Sequence, residues 1–470
     1  METLIATLAV AALYGANLAA IAYAIARKRD AASALAWSLA IAFLPGIGLL
    51  AFLVFGLNRL PRRLHRVIKR RPVRSDGEPS GQVAYRAAHW EGIDRLACVL
   101  GAEPARGGNE VLLLHEGAET FEAIKEAISA ARHHVHVEEY IFRDDALGRQ
   151  LLELMIERAK AGIEVRLMVD AFGTGEAKRL IRDLKQAGGE GAVFLPLFPF
   201  GKIFTANLRN HRKIIVCDGE VGFLGGMNVG NEYFGRRWRN RYWCDAHLRL
   251  KGPAVTDLQR VFADDWRVAA GRDLEDGPYF PEVAAQGDSD VQIVASGPDQ
   301  DENAMRGLLF AAITRASRKV RVSSPYLVPD STLRDALKCA AARGVKVELL
   351  TQGHPPEIWL TYMCSRHYWE ELLNAGVRIY QYGKGILHAK SVIVDDRWAA
   401  LGSANLDNRS LRLNFEVAAL LYGERDAAEA NARFERDLAD SEQVESESFN
   451  ARPWHSRALE SAARLAAPLL

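Results

Sequence analysis

The sequence predicts an α/β protein of two pseudo-twofold related domains, each a mixed sheet flanked by helices, preceded by an N-terminal transmembrane helical hairpin. Three observations predict this fold. Two long uncharged segments open the chain, a pattern of helices and strands occurs twice after them, and one polar motif recurs with the same spacing. With 470 residues, 49% hydrophobic and 25% charged, the chain has the composition of a folded protein too long for one ordinary core.

The two uncharged segments are residues 4–26 and 31–57. Each exceeds the roughly 20 helical residues that cross a bilayer core. A signal peptide would carry Lys or Arg ahead of its apolar stretch, whereas this chain has Glu2 there and a second apolar segment follows. We therefore expect a retained hairpin. A re-entrant second segment is the alternative, because Pro45 and Gly46 interrupt it.

The charge of the chain is distributed unevenly. The first 74 residues hold eleven Lys and Arg against two acidic residues, which leaves 49 basic and 57 acidic residues in the remainder. Eight of these eleven lie between residues 59 and 74, so the positive-inside rule places both ends of the hairpin in the cytoplasm. The acidic balance of the soluble part disfavours a nucleic-acid partner, which needs clustered basic residues.

These patterns divide the chain into four parts. Residues 1–58 are predicted to form two transmembrane helices, and residues 59–84 a basic juxtamembrane segment and linker. Residues 85–290 are the first α/β domain, and residues 291–470 are the second, with a C-terminal tail. The five cysteines are scattered and never in CxxC spacing, which indicates neither a disulfide framework nor a zinc site.

The soluble part contains two copies of one α/β unit. The stretch AISAARHHVHVEEYIF at residues 127–142 matches AITRASRKVRVSSPYLV at residues 312–328. A second pair follows, RAKAGIEVRLMVD at residues 158–170 and CAAARGVKVELLTQ at residues 339–352. Each pair reads as a helix followed by a strand of alternating or continuous apolar residues.

The repeat continues into a polar motif, H-x-K-x4-D-x6-G-G/S-x-N, which occurs once in each half. Two copies of such a pattern, eighteen residues long and in corresponding places, are a specific signal. The candidate catalytic residues are His211, Lys213, Asp218, His388, Lys390 and Asp395. The candidate substrate-binding residues are Gly226, Asn228, Ser403 and Asn405.

The residue types of this motif suit phosphodiester chemistry. Side chains two apart on a strand share a face, so each histidine is presented together with its lysine. If the two halves meet, their lysines and asparagines can bind the non-bridging oxygens of a phosphodiester as charge develops. One imidazole can then attack phosphorus while the other protonates the leaving alkoxide. No cluster of carboxylates or cysteines with metal-binding spacing accompanies the motif, so the lysines would stand where a two-metal enzyme places its cations.

The paired motifs resemble the HKD motifs of the phospholipase D superfamily, over roughly residues 105–425. The strings NLRNHRKI, GGMNVGNEY and GSANLDNRSLRLNFE, together with the N-terminal hairpin, are similar to those of bacterial cardiolipin synthases. This resemblance implies a ping-pong mechanism through a phosphohistidine, with His211 as nucleophile and His388 as general acid and then base. It also implies no metal or nucleotide cofactor, and a location in the bacterial inner membrane with the catalytic domains facing the cytoplasm.

The acidic residues of the candidate site have different expected roles. Asp218 and Asp395 lie at the far end of their strands, which favours turn capping or an ion pair over direct chemistry. A catalytic imidazole needs a partner that orients its other ring nitrogen. Glu416, in LNFEVAALLY, is the expected partner of one histidine, and Asp245, in YWCDAHLRL, is the counterpart in the first half.

Taken together, the sequence predicts a membrane-anchored phosphatidyltransferase that converts two phosphatidylglycerol molecules to cardiolipin and glycerol. A membrane-anchored phospholipase D hydrolase, which uses water and yields phosphatidic acid, would share every predicted catalytic residue. A nuclease of the same superfamily is disfavoured by the acidic soluble part. The sequence leaves open the oligomeric state and the choice between phosphatidylglycerol and phosphatidylethanolamine as donor.

Overall fold

The computed structural model describes residues 1–28, 31–56, 90–195, 207–233, 242–274, 277–300 and 303–470. The predicted basic segment and linker at residues 59–84 lie outside these described residues. The chain divides into one compact unit that holds the N-terminal helices and a larger compact unit that holds the α/β part.

The N-terminal unit begins with helix α1 (Glu2–Arg27), followed by α2 (Ala31–Phe43), α3 (Ile47–Ala51) and a π-helical turn (Phe52–Gly56). Within the described residues, α1 is the single helix long and apolar enough to cross a membrane, and nearly all of it is exposed. The second apolar segment is broken at Gly46, whose φ of 85° lies outside the helical region. The second predicted span is therefore interrupted in the structure, and the hairpin stays a prediction.

The first half of the α/β unit alternates helices and strands and ends in a long helix. Its elements are α4 (Glu91–Val99), β1 (Arg106–Leu114), α5 (Gly117–Ala130), β2 (His134–Glu139), α6 (Ala146–Lys160), β3 (Glu164–Asp170), α7 (Ala177–Gln186), β4 (Glu190–Phe194), β5 (Arg209–Asn210), β6 (Ile214–Cys217), β7 (Val221–Gly225), β8 (Tyr242–Cys244), β9 (His247–Lys251) and α8 (Ala254–Ala270). A short 3-10 helix follows at Gly277–Tyr279.

The second half contains a similar succession. Its elements are β10 (Ser289–Ser296), α9 (Ala304–Arg315), β11 (Lys319–Ser323), α10 (Ser331–Ala342), β12 (Lys346–Gln352), α11 (Trp359–Asn374), β13 (Arg378–Tyr382), β14 (Gly385–Leu387), β15 (Ser391–Val394), β16 (Trp398–Gly402), β17 (Asn414–Tyr422), α12 (Glu424–Ala439), β18 (Ser441–Gln443), α13 (Ser446–Asn450) and α14 (Trp454–Ala463). A 3-10 helix at Arg464–Leu469 ends the described chain.

Most strands of both halves join in one mixed sheet, in the order β18-β13-β12-β11-β15-β16-β17-β10-β1-β9-β7-β6-β2-β3-β4, whereas β8 and β14 form a separate two-stranded sheet. The antiparallel pair β1 and β10 connects the halves at its centre. Strands β2, β3 and β4 run parallel, as do β11, β12 and β13, whereas β6 and β15 are antiparallel to their neighbours. Because parallel strands are covered by helices on their faces, each half has its own apolar core.

Two short strands cross between the halves and position the motif histidines. Strand β5, just before His211, pairs in parallel with the start of β17 in the second half. Strand β14, just before His388, pairs in parallel with β8 in the first half. Each histidine therefore follows a strand that is hydrogen-bonded to the opposite half of the chain.

Candidate active site

His211 is held by the second half of the chain. Its backbone N–H donates to the carbonyl oxygen of Phe415 at 2.9 Å. Its Nδ1 lies 3.1 Å from Oε1 and 3.0 Å from Oε2 of Glu416, whose side chain is fully buried. An Nδ1–H that donates to this carboxylate leaves Nε2 with a free electron pair, as a nucleophile requires.

His388 is held by the first half in the same way. Its backbone N–H donates to the carbonyl oxygen of Cys244 at 2.6 Å. Its Nδ1 lies 2.6 Å from Oδ2 of the buried Asp245, and Oδ1 of that carboxylate accepts from the N–H of Ala246 at 2.8 Å. Each histidine is thus oriented by a carboxylate from the opposite half, an assignment the sequence left open.

The two motif lysines are buried beside the histidines. Nζ of Lys213 donates to the carbonyl oxygen of His211 at 2.7 Å. Nζ of Lys390 donates to the carbonyl oxygen of His388 and lies 2.9 Å from its Nδ1. Burial lowers the pKa of Lys213 to about 7; Glu416 opposes this shift and Lys390 adds to it. Burial also lowers the pKa of Lys390. The ammonium groups of Lys213 and Lys390 are therefore close enough for the charge of one to affect the pKa of the other.

The protonation states of the paired groups follow from burial and charge. Burial lowers the pKa of His211 to about 4, against the opposing effect of Glu416. Burial also disfavours ionised Glu416, but the charges and hydrogen bonds of its neighbours, His211 foremost, lower its pKa to about 2. Burial and Lys390 lower the pKa of His388. At neutral pH, the site thus holds neutral imidazoles and an ionised Glu416.

Gly226 and Ser403 occupy matching places behind these carboxylates. Oγ of Ser403 donates to Oε2 of Glu416 and accepts from the N–H of Val417 at 3.0 Å. A Cβ on Gly226 would lie 2.1 Å from Oδ1 of Asp245, so this position leaves no room for a side chain. The sequence placed both residues in substrate binding, whereas their contacts in the structure are with the orienting carboxylates.

The two motif asparagines lie at the ends of the strands that return from the motif turn. Oδ1 of Asn228 accepts from the N–H of Ile141 at 3.3 Å. The N–H of Asn405 donates to Oγ of Ser410 at 3.1 Å, and its side-chain Oδ1 is buried without a hydrogen-bond partner among the described residues. The amide of Asn405 therefore retains polar capacity that a ligand can use.

Asp218 and Asp395 lie at the opposite ends of β6 and β15 from the histidines. Asp218 accepts from the backbone N–H groups of residues 132, 133 and 134 at 2.7, 2.8 and 2.9 Å. Asp395 accepts from those of residues 317, 318 and 319 at 2.8, 2.7 and 2.8 Å. These bonds fix the start of β2 and of β11. In the part of the chain that the structure describes, neither carboxylate contacts a motif histidine, so their contacts are structural.

Several aromatic residues next to the histidines were not identified from the sequence. The ring of Tyr140 lies 5.0 Å from that of His211, and the rings of Trp243 and Tyr233 lie 5.1 and 6.0 Å from that of His388. One signal was available, because Tyr140 and Tyr326 occupy similar places in the two repeats. Among the described residues, no group of three or more His, Cys, Asp or Glu side chains could hold a metal ion.

Comparison with known proteins identifies the class of protein to which this fold and this site belong. The family model described as "Cardiolipin synthase, PLD-like domain" matches residues 124–266 and 309–438, once in each half. The model described as "Phospholipase_D-nuclease N-terminal" matches residues 15–56. The solved structure of phosphatidylserine synthase from Haemophilus influenzae has the same fold, with a TM-score of 0.60 at 17% identity, over 81% of this chain and all of that chain.

Curated relatives show which family within this class the chain belongs to. A cardiolipin synthase of Halalkalibacterium halodurans is 38% identical over 94% of this chain and 90% of the relative. A cardiolipin synthase of a Geobacillus species is 39% identical over 97% of this chain and 93% of the relative. The chain belongs to the phospholipase D-like cardiolipin synthases, membrane-associated phosphatidyltransferases of phospholipid synthesis. The N-terminal apolar helix is consistent with that membrane association.

Proposed function

We propose that this protein joins two phosphatidylglycerol molecules into cardiolipin and releases glycerol, through a phosphatidyl group held on His211. The observation that carries the proposal is the crossed pairing of His211 with Glu416 and of His388 with Asp245. It provides two oriented imidazoles beside two buried lysines, a set suited to in-line displacement at a phosphodiester.

In the first step, Nε2 of His211 attacks the phosphorus of one phosphatidylglycerol. The bond from phosphorus to the glycerol oxygen breaks, and that oxygen takes a proton from His388. The anionic phosphodiester opposes the effect of burial on the pKa of His388 and favours its protonated form in the substrate complex. The ammonium groups of Lys213 and Lys390 stabilise the charge that develops on the non-bridging oxygens.

In the second step, the terminal hydroxyl of another phosphatidylglycerol replaces His211 on phosphorus. His388, now neutral, takes the hydroxyl proton, while Glu416 stabilises the imidazole of the leaving His211. One phosphodiester replaces another of similar energy, so the exchange needs no external energy source. Asn228 and Asn405 bind the lipid phosphate in both steps.

The remaining motif residues support this machinery. Asp218 and Asp395, at the ends of the motif strands, hold the start of the neighbouring strands β2 and β11, which makes them structural residues. Gly226 and Ser403 act as positioning residues, since each lies against the carboxylate that orients a histidine.

The arrangement of the whole chain completes the proposal. Residues 85–290 and 291–470 form two pseudo-twofold related domains, supported by the family model that matches once in each. Residues 1–58 form a membrane hairpin, with residues 59–84 on its cytoplasmic flank. The catalytic domains face the cytoplasm of a multi-pass inner-membrane protein, as the basic flank favours.

The test is a product assay with purified protein and labelled phosphatidylglycerol in mixed micelles. Cardiolipin and free glycerol in equal amounts are expected. Phosphatidic acid as the dominant product would instead assign a hydrolase that uses water. His211→Ala serves as the control, because it removes the proposed nucleophile and should abolish both products.

A further inference from the structure

Charged groups of both signs surround His211, which pairs with the Glu416 carboxylate. The ring of Tyr140 lies 5.0 Å from the ring of His211. Burial raises the pKa of Tyr140 to about 12; the negative charge of Asp170 adds to that shift, and the positive charges of Arg409 and Arg209 oppose it. Arg409 and Arg209 thus bring two guanidinium groups near this tyrosine, a kind of group that binds phosphate.

The surroundings of His388 are aromatic and acidic. The rings of Trp243 and Tyr233 pack near the imidazole, at 5.1 and 6.0 Å, and belong to a buried apolar cluster with Ile386. Besides Asp245, which orients His388, a second carboxylate acts on it: Glu357, in the loop between β12 and α11. Each histidine thus has one orienting carboxylate, and the His388 side has Glu357 in addition.

Glu357 is held in place by two neighbours. Its backbone N–H donates to Oε1 of Gln352 at 2.8 Å. Its Oε2 accepts from the hydroxyl of Tyr326 at 2.7 Å and from Nε2 of Gln352 at 3.5 Å. Burial and the Glu357 charge raise the pKa of Tyr326, which keeps its hydroxyl able to donate. Within the described part of the chain, Oε1 of Glu357 accepts no hydrogen bond.

The sheet brings this loop to the reaction centre. Strands β11 and β12 run parallel, and β15 runs antiparallel to β11 with Ser391 opposite Ser323. The carboxyl ends of β11 and β12 therefore lie at the edge where β15 begins, directly after Lys390. Burial lowers the pKa of Lys390, and the carboxylates of Asp245 and Glu357 oppose that shift.

A carboxylate here does not suit a phosphate. Both groups are anionic and their oxygens only accept hydrogen bonds, so they repel each other. A glycerol group instead offers hydroxyl donors, which form strong hydrogen bonds to a carboxylate. In an in-line displacement with His211 as nucleophile, the glycerol oxygen lies on the opposite side of phosphorus, next to His388.

Building on the proposed function, we propose that Glu357, positioned by Tyr326 and Gln352, binds the glycerol hydroxyls and selects a lipid acceptor over water. It binds the departing glycerol in the first step and the headgroup of the second phosphatidylglycerol in the next. In that second step, the bond from phosphorus to Nε2 of His211 breaks, a bond from phosphorus to the acceptor oxygen forms, and the hydroxyl proton passes to His388.

The experiment measures the ratio of cardiolipin to phosphatidic acid formed by the full chain from labelled phosphatidylglycerol. Lipid and water compete for the same intermediate, so the ratio is independent of the amount of folded enzyme and of general loss of activity. Glu357→Ala should lower the ratio about tenfold, as expected for a lost hydrogen bond to a charged group. Tyr326→Phe should shift it in the same direction by less.

Glu371→Ala is the matched control, because this carboxylate on α11 pairs with Arg334 outside the site. It should keep the wild-type ratio. A second measurement lets labelled glycerol compete with 1-propanol as acceptor, and Glu357→Ala should lose the preference for glycerol. An unchanged ratio and preference in Glu357→Ala would overturn this inference alone. Phosphatidic acid as the main product of the wild type would overturn the proposed function instead.

Discussion

Nδ1 of His211, in the first half of the chain, lies 3.0 Å from Oε2 of Glu416, in the second half. The reciprocal pair, His388 and Asp245, has an Nδ1 to Oδ2 distance of 2.6 Å. Among the described residues, each motif histidine thus pairs with a carboxylate of the other half and with none of its own. The active site therefore depends on the two halves being folded against each other.

Glu416→Gln tests the crossed pairing. An amide lacks the negative charge that stabilises the imidazolium and can favour the wrong tautomer, so kcat should fall by about 100-fold or more with KM little changed. Steady-state assays of cardiolipin formation measure this. Ser403→Ala removes one hydrogen-bond donor to the same carboxylate and should lower kcat by a smaller factor. A wild-type kcat for Glu416→Gln would show that the pairing has no catalytic role.

Trapping the intermediate tests the two histidine roles. With labelled phosphatidylglycerol and a denaturing detergent quench at neutral pH, since acid cleaves the bond from phosphorus to histidine, His388→Ala should retain a phosphatidyl-enzyme, because its nucleophile is intact. His211→Ala should form none, because Nε2 of His211 is the proposed attacking atom. Labelled protein from His211→Ala, together with none from His388→Ala, would exchange the two assignments.

The pH dependence tests the lysine charge. Since burial lowers the pKa of Lys213 to about 7, its ammonium form is lost in the free enzyme as the pH rises through that value. We expect kcat/KM to fall on this alkaline side. Lys213→Arg keeps its charge at high pH and should move the fall to higher pH, even at a lower maximal rate. An unchanged pH profile in Lys213→Arg would contradict the assignment of this fall to Lys213. The control is Lys185→Arg, at an exposed position on α7.

Gly226→Ala tests the close approach to Asp245. The added Cβ would lie 2.1 Å from Oδ1, so the carboxylate must move away from His388. We expect kcat to fall at least tenfold while the protein stays folded. Gly175→Ala is the matched control, since its Cβ would meet nothing within 4 Å. Equal activities of the two variants would refute the positioning role of Gly226.

Asp218→Ala and Asp395→Ala test the structural role of the motif aspartates. Each change leaves three backbone N–H groups without their acceptor, which should lower the free energy of unfolding by about 2 kcal/mol. Thermal unfolding in detergent measures this, with exposed Asp335→Ala as control. Activity per folded molecule should stay within a few-fold of wild type. Full stability with lost activity would assign these residues to the chemistry instead.

Much of the site could be predicted from the sequence because the chain repeats itself. The duplicated motif identified His211, Lys213, His388 and Lys390, and the need for an orienting partner identified Glu416. The roles of Gly226 and Ser403 were harder to predict from the sequence. Ser403 precedes a motif asparagine in the sequence, yet its hydroxyl donates to a carboxylate thirteen residues later, on a neighbouring strand.

In the N-terminal segments, too, one feature could be predicted from the sequence and another could not. Length and apolar composition predicted a helix that can cross a membrane, and α1 has these properties. The same properties predicted a second full span, but the helix is interrupted at Gly46, between α2 and α3. Composition sums over a whole segment, whereas a helix can be interrupted by the backbone of a single residue.

By itself, the sequence determined which groups are the candidates for the chemistry, because residue type and spacing along a strand fix which side chains are presented and on which face. Only the tertiary structure decided which carboxylate orients which histidine. That choice depends on β5 pairing with β17 and β14 with β8, contacts between distant segments. Such pairings are set by the packing of the entire sheet, which no local pattern encodes.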